Sequence, residues 1–443
     1  MTELDYILLA IVLVALWWVG LLYLNRRGFL EPRKLSLIGP ILMWKTQKGR
    51  DLIDRIARRK RLWRVFGDLS IVLVGVAMIA TTALLVWEAS LVQSPAVRAN
   101  PPSPDLLLGL PGINRLIPLG YGIFGLAVAI ILHEFSHGIL SRVSNIKIRS
   151  LGGIFMIVPI GAFVEPDEDE LRALPRRERA RLYSAGPATN LVLAILFAVL
   201  FSSMVMTSVA PVHDGVGIVG FTEDSSPARL ANMQAYTIIT EINGTPVRTY
   251  GEFVDALSLV QVNVTVSVVA YDPANGEATR YDVTPVERNP STGRALLGIY
   301  AFDLSTDYYH PLTNPDKFGG VPRAILAYIS LPFSGYAPIQ DPATRFYQIQ
   351  GPLALLPEGF FWILANALYW LFWLNAMLGA TNALPAVPLD GGYVFRDGLE
   401  SIVVRLRKGM RTEDRDRIVR QVTNLSALLI LALIVWQLIG PRI

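Results

Sequence analysis

The 443-residue sequence contains no cysteine. No disulfide can staple an exposed domain and no metal site can use thiolate, so any zinc must be held by histidine and carboxylate. Charge is also scarce: 17% of residues are Asp, Glu, Lys or Arg, against 52% hydrophobic. With a mean hydropathy of +0.42, that balance excludes an ordinary soluble protein and points to a membrane protein. No basic patch is interleaved with aromatics, which argues against a nucleic-acid partner. The first apolar run, from Leu4, lacks a basic leader and has Glu3 and Asp5 beside it. It is expected to be a retained span and not a signal peptide.

Six apolar stretches, near 4–24, 68–90, 119–141, 184–208, 357–380 and 421–439, reach the length needed for a crossing, about 20 helical residues. Thirteen basic residues lie between Arg26 and Arg64 and seven between Arg405 and Arg420, whereas 91–118 holds only Arg98 and Arg115. The positive-inside rule puts the two basic loops in the cytoplasm. Six crossings then place both termini, and the long insert between the fourth and fifth spans, on the extracytoplasmic side.

The insert, 212–302, has short β-rich runs such as Val262–Ala270, separated by turn signals at Asn243-Gly244 and Pro273–Gly276. This predicts a small α+β domain. A Pro- and Gly-rich segment, 303–356, links it to the fifth span, and Ala324–Pro332 is expected along the membrane surface. Residues 151–165 are apolar, too short to cross as a helix, and broken by glycine and proline. They predict a β-like re-entrant hairpin, tolerated at membrane depth only where protein or water satisfies its backbone.

Only four histidines are present, and two stand in His133-Glu134-Phe135-Ser136-His137 within the third span. Residues four apart on a helix differ by about 40° in direction and lie about 6 Å apart along the axis, so both imidazoles can reach one ion. Glu134, turned by about 100° from His133, flanks that ion and can accept a proton from a water whose pKa zinc lowers to about 7. Each ionisable group inside a span costs roughly 2.5–3.5 kcal/mol on insertion scales, so the cluster needs a function or a partner. Two histidines leave a tetrahedral zinc one protein ligand short. The segment from Asn382 to Gly392 follows the fifth span, and its prolines and glycines prevent a continuous helix. Asp390 within it is the expected third ligand. Asn382 is expected to donate to the oxyanion of a tetrahedral intermediate. His213 and His310 lack ligand spacing and are expected at the surface or in packing.

The pair of motifs, HEFSH and Asn382-x-x-Pro-x-x-x-Leu-Asp-Gly-Gly, resembles the site-2 proteases of prokaryotic and archaeal type, which carry an inserted PDZ domain. The resemblance covers about 119–208 and 357–392 and the insert. It implies one zinc per chain on His133, His137 and Asp390, with Glu134 as general base and Asn382 in support. It also implies hydrolysis of peptide bonds in transmembrane substrates. Gly186-Pro187-Ala188-Thr189-Asn190 resembles a recurring segment of that family and marks Asn190 as a further site residue. The plain reading is a helix start, with Ser184 as cap and Pro187 in the first turn. The family's hairpin receives substrate as an added strand, which points to Gly152, Gly153, Ile154 and Phe155. Ser226–Ala231 followed by Ile239–Val247 resembles bacterial and archaeal PDZ domains. Ala235-Tyr236 stands where the family often has Gly-Asp, and Val216–Val219 is the candidate strand beside the groove. The expected organisation is therefore a polytopic α-helical membrane protein. It comprises an N-terminal pair of spans with a basic loop (1–118), a first core half (119–208), the PDZ-like domain (212–302), a linker (303–356) and a second core half (357–443). Its partners are transmembrane substrates, the lipid bilayer and a peptide ligand of the PDZ-like domain, with the active site toward the cytoplasm. The competing readings are a membrane metal transporter and a non-catalytic PDZ scaffold. The first has no use for a base beside the metal and lacks an inverted repeat.

Overall fold

The computed structural model describes residues 3–107, 109, 111–156, 158–286, 294–407 and 409–443. Ile157 of the expected hairpin, 287–293 of the expected inserted domain and Lys408 of the second basic loop lie outside the described residues. The chain divides into two compact units, 1–196 with 370–443, and 197–369.

In the first unit the order is α1 (Glu3–Arg26), β1 (Leu35–Ile38), β2 (Ile41–Thr46), α2 (Arg50–Ala57), α3 (Lys60–Leu91) and α4 (Leu119–Val143). There follow β3 (Ile148–Met156), β4 (Val158–Pro166), α5 (Arg176–Val199), α6 (Glu358–Asn382), α7 (Asp390–Leu406) and α8 (Thr412–Ile439), with the end of α5 from 197 and the start of α6 to 369 counted in the second unit. Among the described residues five helices are long and apolar enough to cross a membrane, and α3, α4, α5, α6 and α8 supply them. The sixth expected span is helical over Glu3–Arg26, and Val12–Arg26 is its described apolar part. In α4, 44% of the apolar window is buried, against 11% in α3 and α8. The helix that carries the histidines is therefore interior, and the outer helices present apolar side chains such as Val72, Val76 and Leu428.

The hairpin predicted at 151–165 forms as β3 and β4, and it joins a second hairpin that the sequence did not announce. Strands β1 and β2, from the basic N-terminal loop, extend it to an antiparallel sheet in the order β1-β2-β3-β4. In that register Gly152 pairs with Lys45 on one side and Phe163 on the other, and Gly153, Ile154 and Phe155 are likewise flanked on both sides. The expectation that Gly152–Phe155 receive a substrate strand fails here, because their backbone edges are already paired. Across the same sheet Lys45 meets Glu165 at 3.3 Å. The Ser150 hydroxyl, followed by the Lys45 ammonium, holds the Glu165 carboxyl below its usual range. Beneath the sheet, Ile53 and Ala57 of α2 pack with Ile139, Leu140 and Val143 of α4, Leu151 of β3 and Ala185 of α5. Burying these side chains fixes the turn of α4 that follows His137.

Helix α5 begins at Arg176, two turns before the expected cap at Ser184. Pro187 therefore lies inside the helix, where its missing N–H leaves the Tyr183 carbonyl without a helical donor. The early start has a cause. Arg176, Arg177, Arg179 and Arg181 each reach a carboxylate on another helix, so the first two turns are anchored by ion pairs in place of a side-chain cap.

In the second unit five strands, β5 (Val216–Phe221), β6 (Ile238–Ile242), β7 (Val266–Asp272), β8 (Glu277–Val283) and β9 (Ile299–Asp303), run in the order β8-β7-β6-β5-β9 within a six-stranded sheet, whose short sixth strand, Thr245–Pro246, pairs with β6. Asn243 and Gly244, at φ of 50° and 80°, make the tight turn that the Asn-Gly pair predicts. Val216, Ile218, Ile239, Val268 and Phe253 form its core. Strand β5 is paired on both edges, by β6 and β9, so Val216–Val219 cannot border a peptide groove through backbone hydrogen bonds. Among the described residues the free outer edge on that side belongs to β9.

Packing at Gly152 gives a direct test of the four-stranded sheet. A methyl group there would meet the Trp44 carbonyl and the Phe163 ring. Gly152→Ala is expected to separate β2 from β3 at a cost of about 1–3 kcal/mol, read as a lowered unfolding temperature in detergent. Gly398→Ala, which meets nothing within 4 Å inside α7, should instead raise that temperature slightly, by the ~0.5–1 kcal/mol that alanine gains over glycine in a helix.

Candidate metal centre

His133 and His137 sit one turn apart on α4, buried, with ring centroids 4.9 Å apart. Their outer nitrogens are fixed first. His137 Nδ1 lies 2.8 Å from the Leu182 carbonyl, which can only accept, so that nitrogen carries the proton. His133 Nδ1 lies 2.9 Å from Asn190 Oδ1. The amide of Asn190 donates to the Ala129 carbonyl and to Asn375 Oδ1, each at 3.2 Å, so its oxygen must face His133. Both imidazoles therefore present the lone pair of Nε2 inward.

Those two lone pairs meet Asp390 Oδ2, 3.0 Å from His133 and 3.2 Å from His137. Asp390 opens α7, eight residues after Asn382 ends α6. The break expected between Asn382 and Gly392 is thus present. The first turn of α7 lies so close to the preceding loop that side chains at Gly391 and Gly392 would strike the carbonyls of Ala383 and Ala386. Two ring nitrogens and a carboxylate oxygen converge, an arrangement that a cation satisfies. Their separations are close to the roughly 3.3 Å edge of a tetrahedron with the ~2.0–2.1 Å bonds that zinc makes to nitrogen and oxygen. Among the described residues this is the one group of three such ligands.

Space for the ion is set by α5. A methyl group on Gly186 would fall against Nε2 of both histidines, in the position a metal would take. Gly186 leaves that volume open, and one turn later Asn190 orients His133. The sequence marked Asn190 without a mechanism and missed Asn375, which is fully buried. Asn375 steadies Asn190 while donating to the Leu371 carbonyl at 2.7 Å. A polar residue within an apolar span was the signal for it.

A cavity of about 360 Å³ opens over the site, lined by Glu134, Asn382, Val164, Tyr183, Leu378 and Pro388 among others. Glu134 faces it from α4 and accepts a hydrogen bond from the Val164 backbone N–H at 3.1 Å. Asn382 spends one N–H on the Leu378 carbonyl of its own helix, at 3.1 Å, and has a second to offer. Gly152, Gly153, Ile154 and Phe155 do not line the cavity. The strand that does is β4.

Gly186→Ala should fill the metal's volume and bring zinc content, measured by elemental analysis, close to zero while the helices remain folded. Asn190→Leu should weaken zinc by 10–100-fold, about what loss of an outer-shell partner costs, read by chelator competition.

The sequence profile of Peptidase family M50 matches residues 121–430, well over half of the chain. An uncharacterized protein of Methanocaldococcus jannaschii is 24% identical over 400 residues, covering 89% of this chain and 87% of its own. A Clostridium acetobutylicum protein provisionally named a zinc metalloprotease is 25% identical over 301 residues, 62% of this chain and 84% of its own. A Rickettsia conorii protein with the same provisional name is 25% identical over 331 residues, 64% and 88% of the two chains. Among solved structures, the PDZ domain of an SdrC-like protein from Listeria monocytogenes aligns with 21% of this chain and 92% of its own, with a TM-score of 0.18 and 24% identity. The profile spans both halves of the metal centre, from the helix of His133 and His137 to the helix that Asp390 opens. This membrane protein therefore belongs to Peptidase family M50, the zinc metalloproteases of the site-2 type.

Proposed function

We propose that the chain hydrolyses peptide bonds of transmembrane substrates inside the membrane, in regulated intramembrane proteolysis, with one zinc held by His133, His137 and Asp390. When bound there, zinc supplies a Lewis acid and lowers the pKa of a coordinated water to about 7. The rest of the chemistry falls to the chain. Glu134 accepts the proton of the attacking water and delivers it to the departing amine. The free N–H of Asn382 faces the oxyanion.

The observation that carries this reading is the hydrogen bond from Val164 N–H to Glu134. It ties the base to β4, the strand at the end of the sheet beside the cavity. Side chains and N–H groups alternate along a strand, so the Ala162 N–H points the same way as that of Val164, away from β3. A substrate helix has its carbonyls bonded internally and shielded. Once unwound, it can add to β4 as a further strand, which would bring a carbonyl to Glu134. The edge of β4 thus replaces Gly152–Phe155 as the proposed docking strand.

The basic residues of the loops orient the protein with the site toward the cytoplasm and the insert outside. There the insert, as a PDZ-like domain with its peptide ligand at β9, would restrict access for substrates that retain bulky outer domains. Removal of 212–302 should then speed cleavage of full-length substrates more than of pre-trimmed ones. Equal rates would contradict the filter.

Glu134→Gln should keep zinc and lose about 10²–10⁴ in turnover of a model transmembrane substrate. Ala162→Pro, which removes one outward N–H from an edge strand, should raise KM with zinc content intact. Retained activity in the first variant would overturn the mechanism. Unchanged KM in the second would overturn docking on β4.

A further inference from the structure

Three pairs of residues join α5 and α7 in a single register, and Gly186 and Asp390 continue it at the metal centre. Gly186 faces Asp390 across the two imidazoles that both approach. Tyr183 stacks on Tyr393, centroids 4.9 Å apart and planes 20° apart. Arg179 grips Asp397 with two hydrogen bonds of 3.0 and 2.9 Å. Arg176 meets Glu400 at 2.7 Å. Each step of three, four and three residues back along α5 is matched by the same step forward along α7. That spacing is the seam of an antiparallel helix pair. Seven residues return a helix to within about 20° of the same face, about 10 Å along its axis.

We propose that this seam is the register lock that carries Asp390 onto His133 and His137, with Arg179 and Asp397 as its positioning pair. The inference rests on the zinc reading of the site and extends it to residues two helical turns away. Asp390 stands 253 residues beyond His137 and reaches the site at the tip of a helix that follows a loop. Apolar contacts tolerate sliding, whereas a buried ion pair is satisfied in one register only. Asp397 is 3% exposed. A slip of one residue would turn it by about 100° and strand a buried charge. The second pair adds a check from another helix, because Arg415 of α8 also reaches Glu400, at 3.4 Å.

A natural control lies on the other side of α5. Arg181 binds Asp68 of α3 with the same two-pronged geometry, at 2.8 and 2.7 Å, but α3 carries no metal ligand. A purely structural role for Arg179 would make the two pairs equivalent. The register lock makes them different.

The test uses full-length protein in detergent and zinc alone as probe, with affinity read by chelator competition and stability by thermal unfolding. Arg179→Met and Asp397→Asn are expected to weaken zinc 10–100-fold, the loss typical of outer-shell partners, while Arg181→Met lowers stability and shifts zinc affinity by less than about twofold. Arg179→Lys keeps the charge without the two-pronged grip and should fall between wild type and Arg179→Met. It decides the question if the methionine variant does not fold. Zinc affinity unchanged in Asp397→Asn and Arg179→Lys, or reduced equally in Arg181→Met, would overturn the lock. Wild-type protein that binds no zinc would instead overturn the metal reading itself.

Discussion

Everything in the site depends on bringing one carboxylate to two imidazoles in an apolar surrounding. Taken out of water, these donors need a cation among them. With a divalent ion among them they become a strong ligand set. The remaining features of the first unit serve that assembly. Leu182 and Asn190 fix which nitrogen of each histidine is free. Gly186 leaves the volume that the ion needs, and the close turn at Gly391 and Gly392 lets α7 begin where Asp390 can reach.

A chain so poor in charge concentrates its interhelical ion pairs at one place, and only those to α7 bear on Asp390. Arg176, Arg177, Arg179 and Arg181 lie on the first two turns of α5, and their carboxylate partners come from α3 and α7. Such pairs contribute little net stability over apolar packing, but they admit few alternative arrangements. In a helical membrane unit, where apolar surfaces pack interchangeably against lipid and protein, that selectivity is worth more than the energy. The N-terminal residues 1–118, to which the resemblance gave no role, take part as well. Strands β1 and β2 complete the sheet, and α2 packs under the histidine helix.

What the sequence revealed follows how local its signals are. His133, Glu134 and His137 are legible because four-residue spacing on a helix is a local statement. Asp390 is legible because the prolines and glycines between Asn382 and Gly392 rule out a continuous helix there. The β hairpin at 151–165 was readable from glycine, proline and length. Its pairing partners were not, since the register of β2 against β3 joins residues more than a hundred positions apart and leaves no periodic trace. Gly152–Phe155 look open as a hairpin for that reason and are closed in a four-stranded sheet. The start of α5 was misread because Ser184 and Pro187 imitate a cap, while the true anchors are arginines whose partners lie in distant segments. Asn375 was passed over because a lone amide in an apolar helix takes its meaning from Asn190 across the interface.

The central claim is that His133, His137 and Asp390 together hold zinc. Zinc K-edge absorption spectroscopy on the purified protein tests it most directly. The account predicts a four-coordinate ion with two imidazole nitrogens and carboxylate or water oxygen, at about 2.0–2.1 Å. In Asp390→Ala the ion should be lost or should exchange its carboxylate for water, with the imidazole signal retained. A spectrum without imidazole scattering, or one identical in wild type and Asp390→Ala, would contradict it.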